Sequence, residues 1–265
     1  DAGYHHIEYL KSAPDEPQLA EMIKDAHIIG IRSRTHLSAE VLSKAKKLFC
    51  IGCYSIGTNQ VDKEAAKLLG IPVFNAPFSN TRSVAELVIA ESIMLMREIP
   101  MKNMAAHKGV WIKSASQSFE VRSKNIGIVG YGHIGSQVSI LAEALGMNVY
   151  YYDIEKKLSL GKAVSCPSLE ELLRIADILT LHVPETELTR NMITANQLSL
   201  MKKGSLLINA SRGTVVDCSA LADALRSGKL SGAAVDVFPE EPASNSDPFR
   251  SELQEFDNVI LTPHI

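Results

Sequence analysis

The side chains best suited to chemistry stand just beyond short apolar runs. Gly130-Tyr131-Gly132-His133-Ile134-Gly135 follows the run 125–129, and an apolar stripe of helical period (Ile134, Val138, Leu141, Ala142, Leu145) continues from it to Gly146. A G-x-G-x-x-G between a strand and a helix has a physical reading. Gly130 permits the tight turn, Gly132 lets backbone N–H groups approach a pyrophosphate, and Gly135 lets the helix pack close on the strand, its N-terminus facing the anion. The next strand pattern, 149–152, ends in Asp153. An acid about 20 residues beyond such glycines can accept both hydroxyls of an adenosine ribose and repels a 2′-phosphate. This favours NAD over NADP, although Lys156 and Lys157 lie close by in the chain.

Further polar groups end the later apolar runs: Ser211-Arg212-Gly213, Asp236, Glu241 and Pro263-His264. Arg212, Glu241 and His264 suit the oxidation of a 2-hydroxy acid. That reaction needs a cation for the carboxylate, a group to take the hydroxyl proton, and a hydride acceptor. Arginine offers a carboxylate a planar fork and can polarise the neighbouring C2 oxygen. A carboxylate beside an imidazole raises its pKa, by about 1–3 units for close pairs, and fixes the ring. Glu241 would thereby poise His264 as acid/base. Taken singly, each also reads as an ordinary surface cation, loop acid or strand-end histidine, and spacing alone does not decide.

These residues need a scaffold, and the composition supplies one. The 265 residues carry 27 Lys+Arg against 30 Asp+Glu, a net charge of -3, so no basic field exists to draw in nucleic acid or an acidic membrane surface. With 46% hydrophobic and 22% charged residues the chain reads as globular, and its densest apolar stretch, 87–96, is broken by Glu91, so no membrane span is expected. Four cysteines are too few for a disulfide framework; reduced thiols and a cytoplasmic location are expected. Cys50 and Cys53 form a C-x-x-C, but inside a strand-like run and without a second pair, so neither a redox role nor a metal site is expected. The opening residues carry no initiator Met and no leader-like apolar run, and the sequence reads as starting within a protein.

Short β-rich runs alternate with helical patterns, which predicts parallel βαβ units. Strands are expected at 28–31, 48–51 and 71–74 with helices at 39–46 and 63–69, Gly70 stopping the last. The polar, proline-containing stretch Asn75-Ala76-Pro77-Phe78-Ser79-Asn80 is the linker candidate, giving a partial substrate domain over 1–79 and a nucleotide domain over 80–265. Ser83 and Glu86 have the spacing of a capping box for a helix over 84–97. That helix is apolar nearly all round, so it is either the core helix of a large monomer or is covered by a neighbouring domain or a second subunit. Strands follow at 125–129, 149–152, 178–183, 206–210, 233–237 and 259–261, with a helix near 169–173. The fold class is α/β: a doubly wound parallel-sheet (Rossmann) nucleotide domain plus a smaller flavodoxin-like α/β domain, incomplete at both termini. In such sheets ligands bind beyond the carboxyl ends of the strands, where the polar residues above fall.

Four runs together resemble the signatures of the D-isomer-specific 2-hydroxyacid dehydrogenases, a likeness covering nearly the whole chain. They are Val129-Gly130-Tyr131-Gly132-His133-Ile134-Gly135, the stretch from Leu207 through Asn209-Ala210-Ser211-Arg212-Gly213 to Asp217, Asp236-Val237-Phe238-Pro239-Glu240-Glu241-Pro242, and Leu261-Thr262-Pro263-His264-Ile265. Gly30-Ile31-Arg32-Ser33-Arg34-Thr35, Ile56-Gly57-Thr58-Asn59-Gln60-Val61-Asp62 and the run 75–86 resemble the branch of that family whose substrate carries a phosphate.

The resemblance implies that Arg212, Glu241 and His264 are catalytic and that Asp236 helps hold the nicotinamide. Gly130, Gly132, His133, Ile134, Gly135, Asp153, Ala210 and Ser211, again with Arg212 and His264, would contact NAD. It implies Arg32, Ser33, Asn80 and Lys113 as substrate contacts. A phosphate wants cations, and strand alternation would put Arg32 and Arg34 on one side, although both also read as a solvated strand end. The expected reaction is NAD-dependent oxidation of 3-phospho-D-glycerate at C2, the first step of phosphorylated serine biosynthesis. The expected assembly is a homodimer or homotetramer through the helix following Ser83. The family's opening strand is expected before Asp1, and its closing glycines and helix after Ile265. Two alternatives stay open: a reductase of the family acting on glyoxylate, hydroxypyruvate or 2-oxoglutarate, and an NAD-sensing corepressor-like interaction protein.

Overall fold

The computed structural model describes residues 3, 5–242, 244 and 246–265. The chain divides into two compact units that meet between Asn80 and Thr81.

The first unit alternates helices and strands: α1 (Glu16–Met22), β1 (Ile28–Ile31), α2 (Ala39–Lys44), β2 (Cys50–Cys53), α3 (Lys63–Leu68) and β3 (Val73–Asn75). Each helix starts on a polar cap, Asp15 accepting from Gln18 N, Ser38 from Val41 N and Asp62 from Ala65 N, which satisfies backbone donors no helical carbonyl can reach. The strands form one parallel sheet in the order β1-β2-β3. Leu19, Leu37, Val41, Leu42, Ile51 and Val61 lie in its core. β2 lies two residues later than the 48–51 expected from composition. Leu48 is buried, but its N–H closes a turn onto Ala45 O, and pairing of Ile28 with Cys50 sets where the ladder begins. Cys50 and Cys53, three apart on a strand, therefore face opposite sides, and both are free thiols.

In the second unit come α4 (Thr81–Met96), α5 (Ile99–His107), β4 (Asn125–Val129), α6 (His133–Ala144), β5 (Asn148–Tyr152), β6 (Val164–Ser165), α7 (Leu169–Ile175), β7 (Ile178–Leu181), α8 (Ala195–Leu200), β8 (Ser205–Asn209), α9 (Cys218–Arg226), β9 (Leu230–Val235) and β10 (Val259–Leu261). The strands form a parallel seven-stranded sheet in the order β10-β9-β8-β7-β4-β5-β6. Every residue of β7 and β8 is buried, as expected of strands covered on both faces. Side chains of α7, α8 and α9 cover one face, and those of α4 and α6 the other. This is the doubly wound α/β arrangement. Its order reverses between β4 and β7, the point where such sheets open a crevice at their carboxyl edge.

The start of α4 departs from the capping box expected at Ser83. The helix begins at Thr81, so Ser83 lies inside its first turn, and Glu86 pairs with Arg82 at 2.6 Å instead of reaching back to a cap. On the covered side α4 buries Val84, Ala85, Val88 and Leu95, and with them Glu91, which is 2% exposed. Both Glu91 carboxylate oxygens are buried without a hydrogen-bond partner. Burial, with the charge of Asp236 adding to it, pushes the Glu91 pKa up to about 8.

A folded chain that holds a proton on Glu91, which the unfolded chain releases near the ordinary value of 4.5, loses stability as pH rises from there to about 8. Glu91→Gln cannot ionise, so its urea midpoint should fall less steeply over that window and exceed the wild-type midpoint at pH 8. Parallel midpoint-against-pH curves for the two proteins would refute the assignment.

Candidate active site

The carboxyl edge of the second unit's sheet gathers most of the residues singled out above. β4 leads into Gly130 at φ 89, and Gly132 caps α6 without any side-chain hydrogen bond. The three glycines differ in what surrounds them. A methyl group at Gly130 would strike the His182 carbonyl, and one at Gly135 would overlap the Gly130 carbonyl oxygen; at Gly132 it would meet nothing within 4 Å. Two glycines are thus required by packing, and the third lies open where a pyrophosphate approaches the N-terminus of α6. His133 and Ile134 form the first turn of that helix. Asp153 follows β5 and is tied to the same loop, its Oδ2 accepting from Tyr131 N at 2.8 Å and its Oδ1 from Glu155 N at 2.9 Å. Lys157, a possible partner for a 2′-phosphate, is paired with Glu155 at 2.5 Å. The loop and acid suit the adenosine and pyrophosphate of NAD.

Beyond β8 the chain turns through Ala210, Ser211 and Arg212. Asn209, 1% exposed, organises that turn: its Oδ1 accepts from Ser211 N at 3.1 Å and Ser211 Oγ at 2.8 Å, and its Nδ2 donates to Arg212 O at 3.0 Å. Its own carbonyl accepts from Asp236 N at 3.0 Å, joining the end of β8 to the residue after β9. Asp236 is 3% exposed, and its Oδ1 accepts from Thr262 Oγ1 at 2.6 Å and Ile265 N at 3.1 Å. Burial raises the Asp236 pKa against those two hydrogen bonds, which act to lower it.

His264 follows β10 with its backbone in the left-handed region, φ 57. Its Nδ1 lies 3.0 Å from Glu241 Oε2 and 3.1 Å from Oε1, while Phe238 N also donates to Oε1 at 3.3 Å. The hydrogen bond that His264 makes to the Glu241 carboxylate raises the His264 pKa against partial burial, and the same bond lowers that of Glu241. The Arg212 charge lowers both, which places the guanidinium within electrostatic reach of the pair. Glu241 occupies Nδ1 and leaves Nε2 for a substrate oxygen, while Arg212 supplies the adjacent cation.

The other expected contacts belong to other segments of the chain. Arg32, Ser33 and Asn80 belong to the first unit and are exposed. β1 ends at Ile31, and Thr35 N donates to Arg32 O at 3.2 Å, so residues 32–35 form a turn and strand alternation does not put Arg32 and Arg34 on one side. Lys113 is exposed on the segment after α5 and has no described hydrogen bond or ion pair to Arg212, Glu241 or His264.

Three residues of the site escaped the sequence reading. Asn209 and Thr262 act through loops that only the fold brings together. His182 directly follows β7, and its N–H donates to Val129 O at 2.7 Å beside the glycine turn. Its Nε2 lies 3.0 Å from Thr180 Oγ1, its Nδ1 is buried without a partner, and burial pushes its pKa down to about 3, so the ring is neutral. Its signal in the sequence is a polar side chain closing an apolar strand.

Residues 89–265 match the D-isomer specific 2-hydroxyacid dehydrogenase, NAD binding domain. The chain belongs to the D-isomer specific 2-hydroxyacid dehydrogenases, and its cofactor is NAD. It is 64% identical over 264 residues to the D-3-phosphoglycerate dehydrogenase of Escherichia coli (strain K12), a match covering 100% of this chain and 64% of that protein. It is 52% identical over 273 residues to D-3-phosphoglycerate dehydrogenase 1 of Saccharomyces cerevisiae, covering 100% of this chain and 58% of that one. The chain thus spans about three-fifths of the length of these relatives. Among solved structures it is similar to the D-lactate dehydrogenase of Aquifex aeolicus complexed with NAD and lactic acid, at a TM-score of 0.84 and 34% identity, over 92% of this chain and 78% of the other.

The glycine geometry makes a separable prediction. Gly132→Val should leave the thermal unfolding transition in place yet abolish NADH binding in a fluorescence titration, because its side chain enters only the open space at the helix end. Gly135→Ala should instead destabilise the fold, by about 1–3 kcal/mol or more as for other overpacked sites. Retained NADH binding in Gly132→Val would remove the dinucleotide from that loop.

Proposed function

We propose that this chain is the catalytic part of an NAD-dependent D-3-phosphoglycerate dehydrogenase, oxidising 3-phospho-D-glycerate to 3-phosphohydroxypyruvate at the entry to phosphorylated serine synthesis. The observation carrying the reading is the Glu241–His264 pair within the field of Arg212, at the same sheet edge as the glycine loop. The identity to D-3-phosphoglycerate dehydrogenases supports this substrate over other 2-hydroxy acids.

Bound NAD supplies the hydride acceptor for C2. Arg212 anchors the substrate carboxylate with its planar fork and polarises the C2 oxygen. His264 Nε2 takes the hydroxyl proton as the C2–H bond gives up its hydride, and Glu241 at Nδ1 stabilises the imidazolium that results. In reverse the protonated His264 gives that proton to the keto oxygen. Asp236 Oδ1 is already bonded to Thr262 and Ile265, which leaves Oδ2 to hold the nicotinamide carboxamide. Arg32, Ser33 and Asn80 of the first unit and Lys113 of the second are the substrate contacts, the cations among them serving its phosphate.

The covered face of α4 is buried and, Glu91 and Ser92 apart, apolar, with Ile89 packed at its margin, while Leu87, Ile93 and Met94 are only partly covered. This supports subunit contact through the helix following Ser83, in a cytoplasmic homodimer or homotetramer.

NADH consumption by the full-length protein with 3-phosphohydroxypyruvate tests the assignment. Turnover should exceed that with glyoxylate, plain hydroxypyruvate or 2-oxoglutarate, and the opposite ranking would move the protein to another branch of the family. His264→Asn should cut kcat by about 10²–10⁴-fold, the usual contribution of a general acid/base, with NADH affinity retained; near-normal kcat would sink the role. Reduction needs protonated His264, so its rate should fall as pH rises through the raised His264 pKa, whereas oxidation should gain over the same range. Glu241→Gln removes the cause of that raised value, so both limbs should move to lower pH; unmoved limbs would show that another group titrates.

A further inference from the structure

Lys102, in the middle of α5, is held from three directions. Its ammonium lies 3.0 Å from Glu98 Oε2 one turn earlier, donates to Ser118 Oγ at 2.6 Å, and donates to the carbonyl oxygen of Ser114 at 2.8 Å. The Lys102 and Glu98 side chains are only 22% and 27% exposed, so water screens the pair less than an open surface pair. Elsewhere the segment is tied at its ends. Val110 N donates to Ala105 O at 2.9 Å, Ser118 Oγ to Arg97 O at 3.3 Å, and Phe119 N to Met96 O at 2.8 Å. Between those ties Val110, Trp111 and Ile112 are 53%, 84% and 42% exposed, so apolar burial does little to hold the stretch. Lys102 is therefore the side chain that grips its middle, at the residue after Lys113.

We propose that Lys102 is a positioning residue for substrate selectivity: by binding the Ser114 carbonyl it fixes the backbone from which Lys113 reaches the phosphate of a phosphorylated 2-keto acid. The inference rests on the reading of Lys113 as a phosphate contact. A lysine is a point charge on a flexible four-carbon stem, so its contribution depends on how much ordering remains when ligand arrives. Anchoring the peptide beside it removes part of that ordering in advance. Met at 102 keeps the length and apolar stem of the side chain and loses all three polar contacts.

The test uses the full-length protein and the NADH-linked reduction of 3-phosphohydroxypyruvate, with plain hydroxypyruvate in parallel and NADH fluorescence to report folding and cofactor binding. Lys102→Met should raise the KM for the phosphorylated acid about tenfold, in line with loss of a hydrogen bond to a charged group, with kcat and NADH affinity close to wild type. Its KM for plain hydroxypyruvate should not move. In the double variant with Lys113→Ala, Lys102→Met should add nothing to the loss caused by Lys113→Ala alone. If Lys113→Ala raises the KM and Lys102→Met does not, or the two losses multiply, the positioning role is overturned while the dehydrogenase reading stands. If Lys113→Ala has no effect, the premise fails and the proposal with it. A wild type that does not prefer the phosphorylated acid overturns both.

Discussion

The site depends on how closely the loops leaving β8 and β9 lie against each other. Gly213 follows Arg212, and a methyl group there would fall inside the Phe238 carbonyl and against Pro239 N. The Asn209 carbonyl accepting from Asp236 N begins the same contact, from the last residue of β8 to the first residue beyond β9. With both loops pressed together, the chain after β9 has to carry Glu241 past the Arg212 turn, and Phe238 N fixes the Glu241 carboxylate there. His264 then completes the group from the neighbouring β10. A side chain at Gly213 would push the loops apart and separate the guanidinium from the carboxylate–imidazole pair, even though Gly213 has no chemistry of its own.

What could be read in advance followed from patterns confined to one element. The glycine loop, the strand before it and the acid after β5 each carry their signal within a few residues, and the apolar runs of β4, β7 and β8 mark strands buried on both faces. Boundaries set by partners were less legible. β2 slid two residues because pairing with β1 fixes its register, and α4 begins at Thr81, which leaves Ser83 inside the first turn and Glu86 paired with Arg82. α9 is capped by Asp217, which accepts from Ala220 N at 3.1 Å, and buries Leu221, Ala222, Ala224 and Leu225, signals spread over too short a run to stand out in the sequence. The run before it, Gly213 to Val215, is a single 3₁₀ turn, and that irregularity hid the periodicity.

The chemical set was legible only in part for the same reason. Arg212, Glu241 and His264 each end or follow an apolar run, but nothing local says that they converge; in the sequence only the family likeness implies it. Asn209 looked like one polar residue in a strand, and Thr262 like one more in a loop, until the sheet edge put them beside Ser211 and Asp236. Glu91 shows the converse. Its position in an apolar helix told against a membrane span, yet only the packing of α4 on the sheet shows that the carboxyl is buried without a partner and sensitive to Asp236.

Charge ordering at this edge has a direction. The negative charge of Asp236 acts in two places: with burial it holds Glu91 toward its neutral form, and together with Glu241 it raises the His264 pKa. Arg212 opposes them as a like charge. On the dehydrogenase reading, a substrate carboxylate bound to Arg212 offsets that opposition, and the imidazole becomes a better proton acceptor in the complex than in the free protein. The substrate anion thus prepares the base that removes its own hydroxyl proton. An uncharged alcohol would lack both the anchor and this effect, so selectivity for acids follows from the electrostatics of the pair as well as from the fit of the guanidinium.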